Sequence, residues 1–342
     1  RGLGDVYKRQ RAEMALRCGA DLVLEMPVSV STASAEAFAM GGVSLLDSLG
    51  VVDMLCFGSE SGEISALKEL AEILVEEPEE YKKLLKSFLS EGLTFPAARS
   101  QALTEYFKNP RNFSGDDFDG VLTPLLNEVT QILNTPNNIL GIEYCKAILE
   151  QEAPMTPVPL PRVGAGHGQA LAESGHAQFA SASALRALWA EQGADALTPY
   201  VPEKALELYK KAEIDGMYID CTAAGRCELA LLRAACARPE PFAAVRGVSE
   251  GLDHRLENAV RSCTGLPQLL DALTTVRYPR ARMRRLAMDA ALGYTADTVP
   301  ALPPALHLLG ARKDALPLLG QVSLPVSHSL AKLAQTGPDG AR

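Results

Sequence analysis

Two strand-sized apolar runs, each preceded by a helical pattern, constrain the fold more than any other feature of the sequence. Residues 11–18 have the pattern of a helix that ends at Gly19, and residues 21–26 form a short apolar run closed by a proline. Residues 34–49 repeat the helical pattern, and residues 51–57 repeat the apolar run. Helices alternating with apolar strands at this spacing predict an α/β fold with a parallel sheet.

The rest of the chain is predicted to be mainly helical. Apolar spacing and stop residues predict helices at about 65–76, 78–90, 95–107, 121–133, 139–151 and 183–192, with an extended segment at 155–160. Residues 134–138 are expected to interrupt two helices. After residue 196 strand-like runs disappear, so we expect an α/β domain over residues 11–195 and a helical domain with an irregular tail over residues 196–342.

The first ten residues, RGLGDVYKRQ, differ from the rest of the chain. They show no apolar period and no capping pattern, and they resemble translated adapter sequence at the end of a gene fragment. We therefore expect residues 1–10 to be non-native, so that the α/β sheet lacks its first strand. The alternative is an ordinary disordered N-terminus.

Composition excludes several classes of protein. No apolar run reaches the roughly 18 residues of a membrane span. The seven cysteines are scattered and odd in number, which favours a reducing cytoplasm over a disulfide framework. Cys221 and Cys227 lack a second pair of ligands, so no metal site is expected. The P-loop pattern is also absent. Oligomeric state is not predictable from the sequence.

Three positions in the α/β region are candidates for nucleotide binding. Gly58 follows the second strand, where ligands of open α/β sheets bind and where a glycine permits close approach to the backbone. Asn137, in the segment PNNILG, offers an amide that reads a base or ribose, although it equally suits a helix cap. Arg162 precedes a glycine-rich loop containing His167 and suits phosphate oxygens. The alternatives are a simple turn for Gly58, a surface arginine for Arg162 and an exposed loop residue for His167.

A fourth candidate is the segment ASASALR, which places Ser183 at a helix start and Arg186 about one turn further on. Free N–H groups and the helix dipole favour a phosphate at such a position. An ordinary N-cap with a surface arginine is the alternative.

A fifth candidate is the arginine cluster in RYPRARMRR, within a chain of net charge −9. Arginines with an interleaved tyrosine are typical of a surface that binds RNA phosphates and stacked bases. The alternative is a solvated helix face with acidic partners in the same chain. The cluster consists of Arg277, Arg280, Arg282, Arg284 and Arg285.

Taken in order, these segments resemble the tRNA(Met) cytidine acetate ligase family, a nucleotidyltransferase-like group. FGSESGEI and PNNILG are the most specific of them, and the resemblance covers about residues 11–330. It implies ATP as substrate, with Mg²⁺, and activation of acetate as acetyl-adenylate. The acetyl group then passes to N4 of the wobble cytidine of elongator tRNA(Met).

The same resemblance implies residue roles. Gly58, Asn137 and Arg162 match ATP-binding positions, Ser183 and Arg186 match the phosphate-side helix start, and the arginine cluster matches a region expected to face tRNA. The family opens with a strand and a His-x-Gly-His motif that contacts the ATP phosphates. That motif is absent from this sequence, so the catalytic residues are not identified. We interpret the sequence as an incomplete gene model of an active enzyme, and we expect little or no activity if the chain as written is the complete product.

Two other functions remain open at this stage. An adenylyltransferase acting on a small molecule explains the α/β motifs but leaves the arginine cluster without a role. A catalytically inactive RNA-binding fragment explains the missing histidines but not the retained Gly58, Asn137 and Arg162.

Overall fold

A computed structural model describes residues 3–109, 129–162, 180–249, 251–297 and 302–335 of the chain. Their contacts form two compact units. The first unit contains the described residues of Arg1–Ser29, Val163–Thr274 and Arg280–Arg342, and the second contains those of Val30–Arg162 and Thr275–Pro279. This grouping by contacts does not test the expected functional division at residue 195, which stays a prediction.

The helices and strands follow one another in this order along the described residues. They are β1 (Leu3–Val6), α1 (Lys8–Arg17), β2 (Leu22–Leu24), α2 (Val28–Ser31), α3 (Ala35–Asp47), β3 (Met54–Ser59), α4 (Ile64–Glu76), α5 (Glu79–Ser90), α6 (Phe95–Lys108), α7 (Pro136–Glu150), β4 (Thr156–Pro161), α8 (Ala182–Gln192), α9 (Glu203–Ile214), β5 (Tyr218–Asp220), α10 (Cys221–Ala235), α11 (Leu252–Ser262), α12 (Leu266–Leu273), α13 (Arg280–Leu292), β6 (Leu306–Ala311), β7 (Val326–Ser327) and α14 (Leu330–Leu333). Short 3₁₀ helices lie at Ala194–Leu197 and Lys313–Gln321.

The second unit is built on a parallel pair of strands. β3 and β4 run in register from Met54 opposite Thr156 to Ser59 opposite Pro161. Burial alternates along β3, so Leu55 and Phe57 enter the core while Met54 faces outward. Their core partners come from helices α4, α6 and α7. The expected parallel pairing is confirmed for β3. The strand was expected to be buried on both faces, but the face that carries Met54 is exposed.

Close packing of α7 on β3 depends on a glycine in the helix. A Cβ atom at Gly141 would lie 2.7 Å from Cε2 of Phe57 and 3.3 Å from Cδ1 of Leu67, both of them in the buried core. The Phe57 ring also packs against Tyr144, with 5.4 Å between the ring centroids. Gly141 therefore allows α7 to lie directly on the strand whose end carries the candidate site.

We expect Gly141→Ala to lower the free energy of unfolding by about 1–3 kcal/mol, because the added methyl group overpacks a rigid aromatic contact. Urea unfolding followed by circular dichroism measures the change. Gly225→Ala is the matched control, because its Cβ would meet Leu266 at an ordinary 3.5 Å and alanine favours a helix. Equal effects of the two substitutions would contradict the packing argument.

The first unit contains the remaining sheets of the described residues. β1 pairs antiparallel with β5, and β2 pairs antiparallel with β6, which in turn pairs parallel with β7. Trp189 on α8 is buried, and its ring contacts those of Tyr209 and Tyr218 edge to face at centroid distances of 5.1 and 5.9 Å. Helices α10 to α13 form an apolar cluster that includes the fully buried Leu232, Leu256 and Leu269.

Several sequence predictions need correction. Residues 3–10 are not patternless, since they form β1 and the first turn of α1, where the Gln10 side chain accepts the Tyr7 N–H at 2.9 Å. β2 is paired antiparallel with β6, a strand from the far end of the chain, and is not the parallel strand that was expected. Strands also occur after residue 196, although β5 and β7 are too short to give an apolar pattern. Whether residues 1–10 are native stays a prediction.

Candidate functional site

Gly58 and Arg162 lie together at the carboxyl ends of the two parallel strands. The Arg162 N–H donates to the Ser59 carbonyl at 2.9 Å, and a Cβ atom at Gly58 would lie 3.8 Å from Cγ of Arg162. Arg162 is exposed, and its guanidinium group makes no hydrogen bond or ion pair with another described residue. An arginine beside an open strand end therefore presents its cation to an anionic ligand.

The loop after β3 is held by one buried amide. The Asn138 side chain, 2% exposed, accepts through Oδ1 from the Ser59 hydroxyl at 2.6 Å and from the Glu60 and Ser61 N–H groups at 2.9 and 3.3 Å. The Ser59 hydroxyl oxygen in turn accepts the Gly62 N–H at 2.9 Å. This network fixes the course of the chain directly after Gly58.

Glu60 caps the N-terminus of α7. Its Oε1 accepts from the Asn137 side chain at 2.6 Å and from the Asn137 N–H at 3.3 Å, and its Oε2 accepts the Asn138 N–H at 2.9 Å. Partial burial acts to raise the pKa of Glu60, but these donors outweigh it and the pKa is lowered. A carboxylate therefore already occupies the anion-binding end of α7.

The expected break between two helices at residues 134–138 is wrong in part, because Asn137 and Asn138 lie within the first turn of α7. Both amides take part in the loop-to-helix network, which connects Asn137 to the strand end through Glu60. A cavity of about 370 Å³ lies beside this network, lined by Glu60, Ser61, Asn138 and residues 130–135 apart from Leu133.

Comparisons with known proteins identify the family of this chain. A family model described as HIGH Nucleotidyl Transferase matches residues 5–336. A tRNA(Met) cytidine acetate ligase of Clostridium perfringens is 32% identical over 341 residues, covering 97% of this chain and 79% of that protein. The chain belongs to the tRNA(Met) cytidine acetate ligase family. A relative of the same name from Caldanaerobacter subterraneus subsp. tengcongensis is 36% identical over 290 residues.

The match to that second relative covers 84% of this chain but 66% of the relative, so the chain spans about two thirds of its length. Solved structures give the same family. Thermotoga maritima TmcAL, crystallised with α-thio ATP, aligns at a TM-score of 0.82 with 29% identity over 97% of this chain and 77% of that one. Its apo form aligns at 0.84 with 30% identity. The predicted nucleotidyltransferase-like α/β fold is confirmed, and the family is one of ligases.

The helix start that the sequence predicted to bind a phosphate is the start of α8, in the first unit. Ser181 caps the helix, since its Oγ accepts the Ala184 N–H at 3.2 Å and lies 3.0 Å from Oγ of Ser183. Arg186 lines a small cavity beside Trp189. Ser183 and Arg186 thus lie on a different unit from Gly58, Asn137 and Arg162.

The arginine cluster does not present a uniform face. Arg280 and Arg284, one turn apart on α13, are exposed and line the same cavity. Arg282 donates to the Ser249 hydroxyl at 3.3 Å, and Arg285 is half-buried. Burial lowers the pKa of Arg285, as do Arg282 and Arg246, while Asp289 opposes them.

The remaining member of the cluster, Arg277, is exposed and lies over the ring of its neighbour Tyr278, 5.9 Å from the centroid. Tyr278 is buried, so the interleaved tyrosine is not an exposed platform for stacked bases. The role of the five arginines in binding tRNA stays a prediction.

Some predicted features lie outside the described residues. His167 and the glycine-rich loop fall within residues 163–179, and the helix expected at 121–133 is described only from residue 129 onward. None of the described helices is long and apolar enough to cross a membrane.

Glu60 and Asn138, the two residues that organise the site, were not among the predicted site residues. The signal was present, because an acidic residue after a strand and a second asparagine before an apolar helix are suited to capping. Their pairing was not detectable, since the two segments lie more than seventy residues apart.

We expect Glu60→Gln to lower stability most at neutral pH. The pKa of Glu60 is lowered in the folded state from an ordinary 4.5, so its contribution is present above about pH 4.5 and is lost as the pH falls through the lowered pKa. Urea unfolding of both proteins from pH 7 to pH 3 measures the difference between them. Glu63→Gln, at an exposed neighbouring position, is the control. A Glu60→Gln effect that is as large at pH 3 as at pH 7 would count against the ionised cap.

Proposed function

We propose that this chain activates acetate with ATP as acetyl-adenylate and transfers the acetyl group to N4 of the wobble cytidine of elongator tRNA(Met). The observation that supports this most directly is the exposed Arg162 guanidinium group beside Gly58, at the carboxyl ends of parallel strands. Such strand ends are where open α/β sheets bind nucleotides. The chain is similar to proteins named for this reaction and to one crystallised with α-thio ATP.

In the first step, an acetate oxygen attacks the α-phosphorus of ATP, and the bond to pyrophosphate breaks. Negative charge increases on the α-phosphate oxygens and on the leaving pyrophosphate, so donors and cations aimed there lower the barrier. We assign Arg162 to these oxygens, Gly58 to close approach of the nucleotide, and Asn137 to the edge of the site. Ser183 and Arg186 are proposed for the phosphate side, and Mg²⁺ is proposed to accompany the phosphates of ATP.

In the second step, the cytidine N4 amine attacks the acetyl carbonyl, AMP leaves, and the amine loses a proton. A mixed anhydride is a good acyl donor, so positioning of the two substrates supplies much of the catalysis. We propose that residues 11–195 carry the ATP site and that residues 196–342 bind tRNA, with the arginines between Arg277 and Arg285 facing its phosphates. A tRNA substrate places the reaction in the cytoplasm.

The experiment is acetate-dependent exchange of labelled pyrophosphate into ATP. It is run on this chain and on one in which the family's His-x-Gly-His segment replaces residues 1–10. Exchange that requires acetate, followed by transfer of labelled acetate to tRNA, supports the proposal. Exchange that is equally fast with and without acetate favours an adenylyltransferase that transfers AMP to another small molecule. Salt-dependent tRNA binding without exchange in either chain favours an inactive RNA-binding fragment.

A further inference from the structure

A large cavity lies within the first unit, and none of the residues assigned to ATP is among its lining residues. Helices α10, α12 and α13 enclose about 920 Å³, which lies within the range of ligand-binding pockets. The buried Leu229, Leu266 and Leu270 contribute apolar surface to its lining. Exposed residues at its rim, such as Thr222 and Leu292, show that it opens to solvent. The cavity thus combines an apolar floor with access from outside.

One carboxylate that lines this cavity has an oxygen without a hydrogen-bond donor among the described residues. Glu228 on α10 is 8% exposed, and its Oε1 accepts no hydrogen bond from the described part of the chain. Burial raises the pKa of Glu228, and the positive charge of Arg284 acts in the opposite direction. A buried acceptor without a donor is costly. Because Oε1 is shielded from solvent, Oε2 is the oxygen that the N–H group of a ligand in the cavity would reach.

The rim of the same cavity is cationic. Arg226, Arg280 and Arg284 all line it and are exposed, and Arg280 also pairs with the carboxylate of Asp271. Exposed guanidinium groups beside an apolar cavity suit a ligand with negative charge at one end. An apolar ring, an N–H donor and an adjacent anion are the three chemical features of a nucleotide.

We propose that this cavity binds an unstacked RNA base that carries an amino group, with Glu228 accepting its N–H and Arg226 and Arg284 binding the adjoining phosphates. RNA is the source because Arg280 and Arg284 belong to the arginine cluster assigned to tRNA, and the inference rests on that part of the proposed function. Protein modules that read single-stranded RNA extract bases in this manner.

The base is selected by its donors. Cytosine, adenine and guanine each present an exocyclic amino group that a carboxylate accepts. Uracil presents its only ring N–H between two carbonyl oxygens, which repel a carboxylate. The cavity is therefore expected to discriminate against uracil, although the rim arginines bind phosphates of any sequence.

The test is fluorescence anisotropy of the full chain with labelled RNA heptamers, without ATP or acetate. One heptamer is all uridine, and the others carry a single cytidine, adenosine or guanosine at the centre. We expect at least one substituted heptamer to bind about tenfold more tightly than all-uridine RNA. Glu228→Met is expected to abolish this preference without weakening the binding of all-uridine RNA, whose affinity should rise because the carboxylate that repels uracil is gone. It removes a buried unpaired carboxylate and should not destabilise the fold.

Two further variants complete the test. Glu203→Met removes an exposed carboxylate from the same unit and should leave the preference intact. Arg284→Ala should weaken all heptamers and reduce the salt dependence of binding by about 0.7 per lost phosphate contact. Equal binding of all heptamers by the unsubstituted chain, or a preference that survives Glu228→Met, overturns the proposal.

A final arm identifies the source of the base. Free cytidine, adenosine and guanosine monophosphates are added as competitors at concentrations matched to the heptamers. Displacement at equal concentration assigns the cavity to a free nucleotide and overturns the RNA assignment, whereas absence of competition supports it. The binding test uses neither ATP nor acetate, so it is independent of the proposed reaction. Pyrophosphate exchange without a base preference would contradict only the base-binding cavity. A base preference without exchange would contradict only the proposed reaction.

Discussion

Arg99→Met is expected to lower the free energy of unfolding by about 3–5 kcal/mol, the largest effect on stability that we predict. Arg99 on α6 donates through Nη2 to Oε1 of Glu143 on α7 at 2.6 Å. Glu143 is 3% exposed, while the Arg99 side chain is 15% exposed. Loss of the arginine leaves a buried carboxylate that cannot reach water, and this uncompensated charge is the source of the cost.

The surroundings of the pair support a large effect. The second carboxylate oxygen of Glu143, Oε2, is buried without a hydrogen bond among the described residues, so the charge depends on Arg99. Burial raises the pKa of nearby Tyr81 to about 12, with Glu143 adding to the increase and Arg99 opposing it. The pair therefore lies in a poorly solvated region where a single charge is weakly screened.

Three variants measured by urea unfolding separate the contributions. Glu143→Leu should cost less than Arg99→Met, because the more exposed guanidinium group can extend toward water. The double variant Arg99→Met with Glu143→Leu should recover most of the stability, because two apolar side chains replace both charges. Lys108→Met removes an exposed pair with Glu105 on the same helix and should change stability by less than about 1 kcal/mol. A double variant less stable than Arg99→Met would show that the pair stabilises the fold by itself.

How much of this structure could be predicted depends on the range of the interactions. Local signals were sufficient for the positions of α3 and α8, although the residue that caps α8 is Ser181 and not Ser183. Ser34 and Ser181 each accept an N–H three residues further on. They were also sufficient for α5, which was predicted over 78–90 and is observed over Glu79–Ser90. In each case the deciding contact is made within one helical turn, so the sequence contains it directly.

Strand pairing could not be predicted in the same way. The apolar run at residues 21–26 gives a strand, β2, but nothing in that run specifies an antiparallel partner near the C-terminus. The segment at 155–160 was expected to be extended, but its pairing with β3 joins residues about a hundred positions apart in the sequence. A strand offers the same backbone donors and acceptors whichever partner it meets, so pairing is decided by the tertiary fold.

The candidate site divides along the same line. Gly58 and Arg162 were selected because each follows a predicted strand, and the parallel register brings them together. Glu60 and Asn138 escaped notice because a carboxylate and an amide acquire a role only when loop and helix meet. Cavities are even harder to predict. In the sequence Glu228 is one acidic residue of a helix, and only the structure shows that it is buried.

Arg162→Ala is expected to raise the dissociation constant for ATP by roughly 10- to 100-fold, because a hydrogen-bonded charge is removed from the phosphates. Where exchange is measurable, kcat should fall by about 10²- to 10³-fold, the usual cost of removing one preorganised donor from a developing anion. Calorimetric titration with ATP measures the first quantity, and acetate-dependent pyrophosphate exchange measures the second.

The fold should be unaffected by this substitution. Arg162 is exposed, and the contact that joins it to β3 is its backbone N–H to the Ser59 carbonyl, which alanine retains. Arg162→Lys keeps the charge but not the two-pronged donor geometry, so it should bind ATP with intermediate affinity. Arg238→Ala, at an exposed position of the first unit, removes the same charge elsewhere and should bind ATP normally. If Arg162→Ala and Arg238→Ala bind ATP equally well, the strand-end site is not where the phosphates lie, and the start of α8 with Ser183 and Arg186 becomes the position to test.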